Sequence, residues 1–487
     1  MAANFPFSNP IAYAHLQLRG GWKNLLLTVG AYALVLGTVI IATVRMNPGT
    51  PATTALAAWT SILLVLQLGI FLLFGCATVC SALRTDTASR MIESHRLMPV
   101  HPGWAVFGYL LGAESQILAM AAATFLLGLI TNLGAGSPPM RWIVPNLVLA
   151  AFAAFVWLVM LFASFINKSG PRVLTVLTFI AFTTQGMILF VLPGLTVLVS
   201  PLIGDTIFAR RAWGSGINQQ YAIAMAAQCA LGAILFIGAA RKYRRPEAPA
   251  FGTLLALIFL AAWVAVSAVG IDRWEEFQPR FQRDASVGHV ARFLSSLAVT
   301  MLLALVPVAA SVRADADWRR RRRLDDPAPM RRPFPPVLAV LFAAAVALAL
   351  LPVAFRSEQN VRDVSLRTAA TVLFFLLFGC YLLRIVYRGG GRGLFLVGLL
   401  VILTWVAPFI IDLIRHAMTD AYDDPVLGMI MTFSPLGLLI ELWDSKPMST
   451  TPGLAFQAAL AALAALLYYA GPLLARRTDL SKAPKPL

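Results

Sequence analysis

The sequence predicts an all-α fold, a polytopic transmembrane helical bundle of about 12 spans. Two observations predict it. Apolar residue types make up 59% of the 487 residues and charged types only 13%, whereas soluble domains carry about 25% charged residues. Apolar runs of roughly 20 residues, the length that crosses a bilayer as a helix, also recur along the chain. This composition excludes a single water-soluble enzyme domain and a disordered chain.

Twelve apolar runs are long enough to span the hydrocarbon core. They lie at residues 25–44, 54–83, 104–131, 143–166, 173–193, 218–240, 251–271, 291–312, 334–354, 367–387, 393–414 and 453–475. Two shorter apolar stretches, 195–209 and 425–443, are interrupted by proline. We expect these two to form re-entrant or surface hairpins.

The distribution of basic residues predicts the orientation. Most of the 39 Lys and Arg residues fall in alternate connections if both termini face the cytoplasm, as the positive-inside rule requires. We therefore expect a multi-pass protein of the cytoplasmic membrane. The basic run Arg319–Arg323 lies between two spans, which favours anionic lipid headgroups as its partner over nucleic acid.

An internal repeat would divide the chain into two six-span domains, 1–245 and 246–487. The pentapeptide SPLIG at Ser200–Gly204 resembles SPLGL at Ser434–Leu438, and one of the short hairpins precedes the last span of each half. Because each half holds an even number of spans, the two halves would be parallel repeats.

The connection between the second and third spans is the most informative segment. Asp86, Arg90 and Glu93 are spaced i, i+4 and i+7, which places them on one face if the segment is helical. Pro99 and Pro102 would end that helix before the third span. The pattern predicts a short polar helix at the cytoplasmic surface.

This segment resembles the membrane subunits of ABC-2 type ATP-binding-cassette transporters. Those permeases have an acidic stretch after the second span, then Pro-Leu-Ser, then Gly-Lys-Leu at the third span. Here Asp86 and Glu93 match the first and last acids, Pro99 follows at the family's spacing, and Gly108-Tyr109-Leu110 stands at Gly-Lys-Leu. The amphipathic start after Asn9-Pro10 is similar too. The resemblance covers about the first 245 residues, and the corresponding second loop, 313–333, is instead Arg-rich.

The resemblance implies a permease whose loop helix docks in a groove of a cytoplasmic ATPase. The residues that would bind this partner are Asp86, Arg90, Glu93, Arg96 and Pro99. The chain has no G-x-x-x-x-G-K-S/T run, so we expect ATP to be bound and hydrolysed on a separate subunit. The chain itself is predicted to be a transport subunit rather than an enzyme, with no cofactor. The alternative is a helix that only solvates its loop.

Polar residues inside the predicted spans are further candidates. Glu114 and Gln116 fall in the third span and Gln185 in the fifth, and such groups usually face protein or water because lipid penalises them. They would line a path or hydrogen-bond neighbouring helices. No catalytic residues or metal ligands are predicted, because the sequence has no HExxH and its four cysteines lie in apolar runs without adjacent histidine.

Two other function classes stay open at this stage. Twelve spans in parallel halves also fit a secondary transporter driven by an ion gradient, although Arg84-Thr85-Asp86 matches the loop motif of that class only weakly. A membrane enzyme acting on lipid-linked substrates would need paired carboxylates, and the first outer loop, 45–53, has none. The sequence does not identify a substrate.

Overall fold

A computed structural model describes residues 9–46, 49–166, 193–203, 219–246, 248–273, 289–323, 333–354, 361–401, 404, 407–408, 411, 432–443 and 450–480. All regular secondary structure in these ranges is helical. Nine helices in the described part are long and apolar enough to cross a membrane. The chain is therefore a multi-pass membrane protein.

Those nine candidate spans account for only part of the predicted twelve. They are Gly21–Met46, Ala52–Ala88, Ser115–Gly134, Met140–Phe165, Gln219–Arg244, Thr253–Asp272, His289–Arg322, Pro336–Val353 and Val364–Tyr387. The predicted span 173–193 lies outside the described residues apart from its last position, and 393–414 does so in part. A shorter apolar helix, Thr451–Leu466, falls where the last span was predicted. The number twelve and the repeat stay predictions.

The chain forms two compact units. The first contains Met1–Ala250 and Asp272–Ser286, and the second contains Phe251–Ile271 and Val287–Leu487. In the first unit the described helices are α1 (Pro10–Leu18), α2 (Gly21–Met46), α3 (Ala52–Gly69), α4 (Cys76–Ala88), α5 (Met91–Leu97), α6 (Pro102–Ala113), α7 (Ser115–Gly134), α8 (Met140–Ile166), α9 (Pro193–Ile203) and α10 (Gln219–Arg244).

A π-helical segment, Ile70–Gly75, joins α3 to α4. Its irregular backbone accommodates Trp157 of α8, whose indole N–H donates to the Phe71 carbonyl at 2.9 Å. Gly75 is required there because a Cβ would lie 2.4 Å from the indole nitrogen. Such π-helical turns interrupt α-helices at places where another group must approach the backbone. The segment thus fixes how α8 packs on the α3–α4 pair.

The second unit contains α11 (Thr253–Asp272), α12 (His289–Arg323), α13 (Pro336–Leu348), α14 (Leu351–Ala354), α15 (Val361–Val401), α16 (Pro435–Trp443) and α17 (Thr451–Leu480). The core stripe of α12 recurs every three or four residues, as expected for one helix face, and comprises Phe293, Leu297, Met301, Ala304, Val308 and Val312. Small residues of α13, among them Ala343 and Ala347, are fully buried in the same core. Their size allows α12 and α13 to pack closely.

Candidate functional site

The N-terminal helix α1 is fastened to α6. Asn9 caps α1, because its Oδ1 accepts from the backbone N–H of Ile11 at 3.0 Å and of Ala12 at 3.2 Å, a typical N-cap arrangement. The Asn9 amide also donates to the Trp104 carbonyl at 2.6 Å. The predicted helix after Asn9-Pro10 is thus present, and its cap reaches the neighbouring helix.

Two glycines of α6 make this contact close. A Cβ at Gly108 would lie 2.4 Å from the Asn9 side chain, and a Cβ at Gly112 would lie 2.7 Å from the Ala12 Cα. Glycines four residues apart therefore form the surface on which α1 lies. After α1 the chain turns through Gly20 and Gly21, whose φ angles of +91° and +66° are accessible to glycine without strain.

Asp86 lies at the centre of a buried polar cluster. Its Oδ2 accepts a hydrogen bond from the Tyr109 hydroxyl at 2.8 Å, and it lies 3.3 Å from Nε2 of His15 and 3.6 Å from Nδ1 of His95. His95 Nδ1 is also 3.1 Å from the Tyr109 hydroxyl. We call His15, Asp86, His95 and Tyr109 the Asp86 cluster. It joins α1, α4, α5 and α6 through one carboxylate oxygen.

The charge of this cluster depends on the protonation state of His95. Burial lowers the pKa of His95 below its usual value, the Asp86 carboxylate opposes that shift, and His15 adds to it. Burial therefore dominates, and His95 is neutral at pH 7. Tyr109 supplies the hydroxyl that stabilises the Asp86 carboxylate, since a buried charge needs a hydrogen-bond partner.

The loop helix is interrupted, so the prediction of one continuous helix carrying Asp86, Arg90 and Glu93 on a single face is wrong. Helix α4 ends at Ala88, Arg90 has a left-handed backbone with φ of +60°, and α5 begins at Met91. The expected Asp86–Arg90 pair is replaced by the Asp86 cluster. The reason is tertiary: His15 and Tyr109 reach Asp86 from other helices, and the buried carboxylate turns away from the exposed Arg90.

Helix α5 is tied to the end of α10. Arg96 Nε donates to the Tyr243 carbonyl at 2.8 Å, and the guanidinium lies 5.8 Å from the centre of the Tyr243 ring. The rings of Tyr109 and Tyr243 pack edge to face, with 6.3 Å between their centroids. The loop is therefore held on one side by the Asp86 cluster and on the other by α10.

The outer face of the loop is exposed. Glu93 and Pro99 lie at the surface, and beside them Leu97 is 88% exposed and Met98 39%. Of the residues predicted to contact a partner, Arg90, Glu93 and Pro99 are accessible, Arg96 is half-buried and Asp86 is buried. Binding of a partner by these residues stays a prediction.

Glu114 lies at a break between α6 and α7. Its backbone leaves the helical region, and the candidate span begins at Ser115. The third span predicted at 104–131 is therefore not one continuous helix, and Glu114 lies just before the candidate span Ser115–Gly134. Its buried carboxylate accepts from the Thr78 hydroxyl of α4, and its Oε2 has no hydrogen-bond partner among the described residues. Gln116 is half-buried in the first turn of α7, and Gln185 lies outside the described residues.

The second unit contains a different ionic cluster around Asp315 of α12. Its Oδ2 lies 3.0 Å from Nη2 of Arg319 and 3.6 Å from Nη2 of Arg384 on α15. The Arg384 guanidinium lies 4.2 Å from the ring centre of Tyr468 on α17, and Arg319 donates to the Tyr468 hydroxyl at 3.2 Å. We call Asp315, Arg319, Arg384 and Tyr468 the Asp315 cluster.

The sequence did not identify His15, His95, Tyr109, Arg384 or Tyr468 as site residues. Apart from His95, each is distant in sequence from its aspartate, and an isolated polar residue in an apolar run carries no spacing signal. Within the described ranges, no group of three or more His, Cys, Asp or Glu side chains could hold a metal ion.

Comparison with protein-family models, with curated proteins and with solved structures gave no match for this chain.

Proposed function

We propose that this chain is the membrane-spanning subunit of an ABC-2 type transporter, driven by a separate ATPase that docks on the loop between α4 and α6. The substrate is unassigned. On this proposal both termini face the cytoplasm, and ATP is bound only by the partner. The observation that carries the proposal is that this loop is fixed to the helix bundle on its inner side and exposed on its outer side.

The inner contacts suit force transfer. The Asp86 cluster connects the loop to α1, α4 and α6, and Arg96 connects it to α10. A displacement of α5 would therefore reach four helices through hydrogen bonds and packed rings. A loop that served only as a solvated connection would need none of these buried polar contacts, which cost desolvation unless they are all paired.

The outer contacts suit docking. Glu93 and Arg90 offer charges that can pair across an interface, and Leu97 offers an exposed apolar side chain whose burial against a partner would be favourable. Glu93 and Leu97 lie in α5, and Arg90 directly precedes it. Asp86 would position the loop from beneath and would not contact the partner.

The test is purification of the tagged full-length protein from its native host in mild detergent, followed by mass spectrometry of associated chains. We expect a stoichiometric subunit that contains a P-loop. The double variant Glu93→Ala with Leu97→Ser should lose it. Arg90→Asn should weaken its binding without strain, because asparagine tolerates the left-handed backbone.

Arg45→Asn is the matched control, because Arg45 is equally exposed but lies at the far end of α2. It should retain the ATPase. A well-folded preparation with no associated ATPase, or one whose ATPase is unaffected by the double variant, would contradict the docking proposal.

A gradient-driven transporter is the second candidate, and the buried Glu114 favours it. A carboxylate at the end of a span with one unpaired oxygen can exchange a proton or bind a cation. On this alternative, transport would survive ATP depletion, collapse with an ionophore and be abolished by Glu114→Gln. On the leading proposal, ATP depletion stops transport.

A further inference from the structure

A lateral groove opens where α1, α2 and the α6–α7 junction meet. Its volume is about 290 Å³, at the lower end of the range for small-molecule sites. The lining is almost wholly apolar and includes Leu16, Trp22, Leu25, Leu111, Leu118 and Ala119. The close approach of α1 to Gly112 forms one wall, and the small side chain of Ala119 leaves space at another.

The groove lies at one membrane surface. The candidate spans of α2 and α7 begin at Gly21 and Ser115, and the 20 residues of α7 give a helix of about 30 Å, which matches the hydrocarbon core. Both spans therefore enter the bilayer at the level of the groove. Trp22, 43% exposed, is the residue type that concentrates at this boundary.

Positive charge flanks the groove. Arg19 lies in the chain between the lining residues Leu16 and Trp22 and is half-buried, and Lys23 follows Trp22 and is exposed. Arg19 also interacts electrostatically with Glu114. Lys23 adds a second positive charge at the same level.

We propose that this groove binds one anionic phospholipid from the surrounding bilayer, with an acyl chain against the apolar lining and the phosphate beside Arg19 and Lys23. Hydrocarbon fills an apolar groove that water would solvate poorly. Each basic side chain near the surface favours an anionic headgroup over a zwitterionic one. The lipid would fill the space between α1 and the first span, so the proposal is independent of what drives transport.

The test uses the full-length protein, delipidated in detergent and titrated with phosphatidylglycerol or phosphatidylcholine, with bound lipids counted by native mass spectrometry. We expect one phosphatidylglycerol to bind about tenfold or more tightly than phosphatidylcholine, the order expected for two basic side chains. Ala119→Phe fills the groove and should abolish that binding. Ala122→Phe, on the exposed face of the same helix, is its matched control and should retain it.

The charges are tested separately, in a variant that leaves the groove lining intact. Arg19→Gln with Lys23→Gln should lower phosphatidylglycerol binding to the level of phosphatidylcholine, while Arg45→Gln should change nothing. Equal binding of the two lipids by the unaltered protein would overturn the proposal. So would unchanged phosphatidylglycerol binding by a monodisperse Ala119→Phe variant.

Discussion

Each of the two units holds an aspartate near the C-terminal end of a helix, Asp86 buried and Asp315 half-buried, but the two charges are compensated differently. Asp86 is contacted by two histidines and a tyrosine hydroxyl, whereas Asp315 is contacted by two arginines. Arginine stays protonated at every physiological pH, and histidine does not. The Asp315 cluster therefore keeps a fixed charge, and the charge of the Asp86 cluster varies with pH.

Because their partners differ, the two clusters hold their helices together in different ways. Asp315 and its arginines join α12 to α15 by permanent ion pairs. The Asp86 cluster joins α1 and the loop helix α5 to α4 and α6 through two hydrogen bonds of the Tyr109 hydroxyl and the close approach of two imidazoles to Asp86, and protonation of His95 changes these contacts. The loop that we propose for ATPase docking is thus held in place by the Asp86 cluster, whose charge depends on pH.

Disrupting the Asp315 cluster should have the largest effect on the stability of the protein. Asp315→Ala would leave Arg384, whose side chain is 8% exposed, without its carboxylate. Removing one partner of a buried pair costs about 3–5 kcal/mol. We expect a clear fall in the thermal unfolding temperature of the full chain in lipid nanodiscs. Asp317→Ala is the matched control, since Asp317 lies on the same helix and is 60% exposed; equal effects of the two variants would contradict the prediction.

Disrupting the Asp86 cluster should lower the free energy of unfolding by a smaller amount. Asp86→Ala removes the carboxylate that accepts from the Tyr109 hydroxyl, and the loss of a hydrogen bond to a charged group costs about 1.5–3 kcal/mol. Asp86→Asn keeps an acceptor and should recover part of the loss in nanodisc unfolding experiments. The exposed Glu93→Ala serves as the control. A loss as large as that of Asp315→Ala would mean that Asp86 and its histidines act as a full ion pair.

The pH dependence of protein stability also distinguishes the Asp86 cluster from the Asp315 cluster. Because the pKa of His95 is lowered in the folded protein, the unfolded chain binds more protons once the pH falls through about 6.5. Stability should therefore decrease with acidification from that pH down to the lowered pKa and change no further from this source below it. His15, Asp86, Arg96, Tyr109 and Tyr243 are the titratable or charged groups around it.

Thermal unfolding of the full chain between pH 8 and pH 5.5 measures this slope. His95→Gln removes the titrating group and should flatten the curve, because glutamine is neutral throughout. The Arg319→Gln variant should retain the slope of the unaltered protein. A flat curve for the unaltered protein, or an unchanged slope in His95→Gln, would contradict the burial of a neutral imidazole.

The smallest effect is expected at the exposed edge of the Asp315 cluster. Arg319 is 45% exposed and pairs with Asp315 one helical turn away, and such surface pairs contribute about 0–1 kcal/mol. Arg319→Gln should barely change the unfolding temperature, whereas Arg384→Gln should lower it more because Arg384 is buried. Equal changes in unfolding temperature for the two variants would show that the buried Arg384 contributes no more to stability than the exposed Arg319.

The membrane class and much of the helix layout could be predicted from the amino-acid sequence alone. Apolar runs near 20 residues admit few structures other than membrane helices, because the bilayer leaves backbone groups no other partners. The helix after Asn9-Pro10 was also predictable, since capping is local. The polar loop between α4 and α6 was located from its charges and prolines, although the predicted continuous helix within it is interrupted.

Which polar residues contact one another could not be predicted from the sequence and follows from the packing of the helices. His15 lies 71 positions before Asp86 and Tyr109 lies 23 after it, so no local spacing predicts their contact. The same holds for Asp315 and Arg384. The break at Glu114 and the left-handed Arg90 also follow from packing: a buried carboxylate takes the partners that neighbouring helices supply, and the backbone bends to reach them. Local patterns fix where helices form, and long-range contacts fix which side chains form a site.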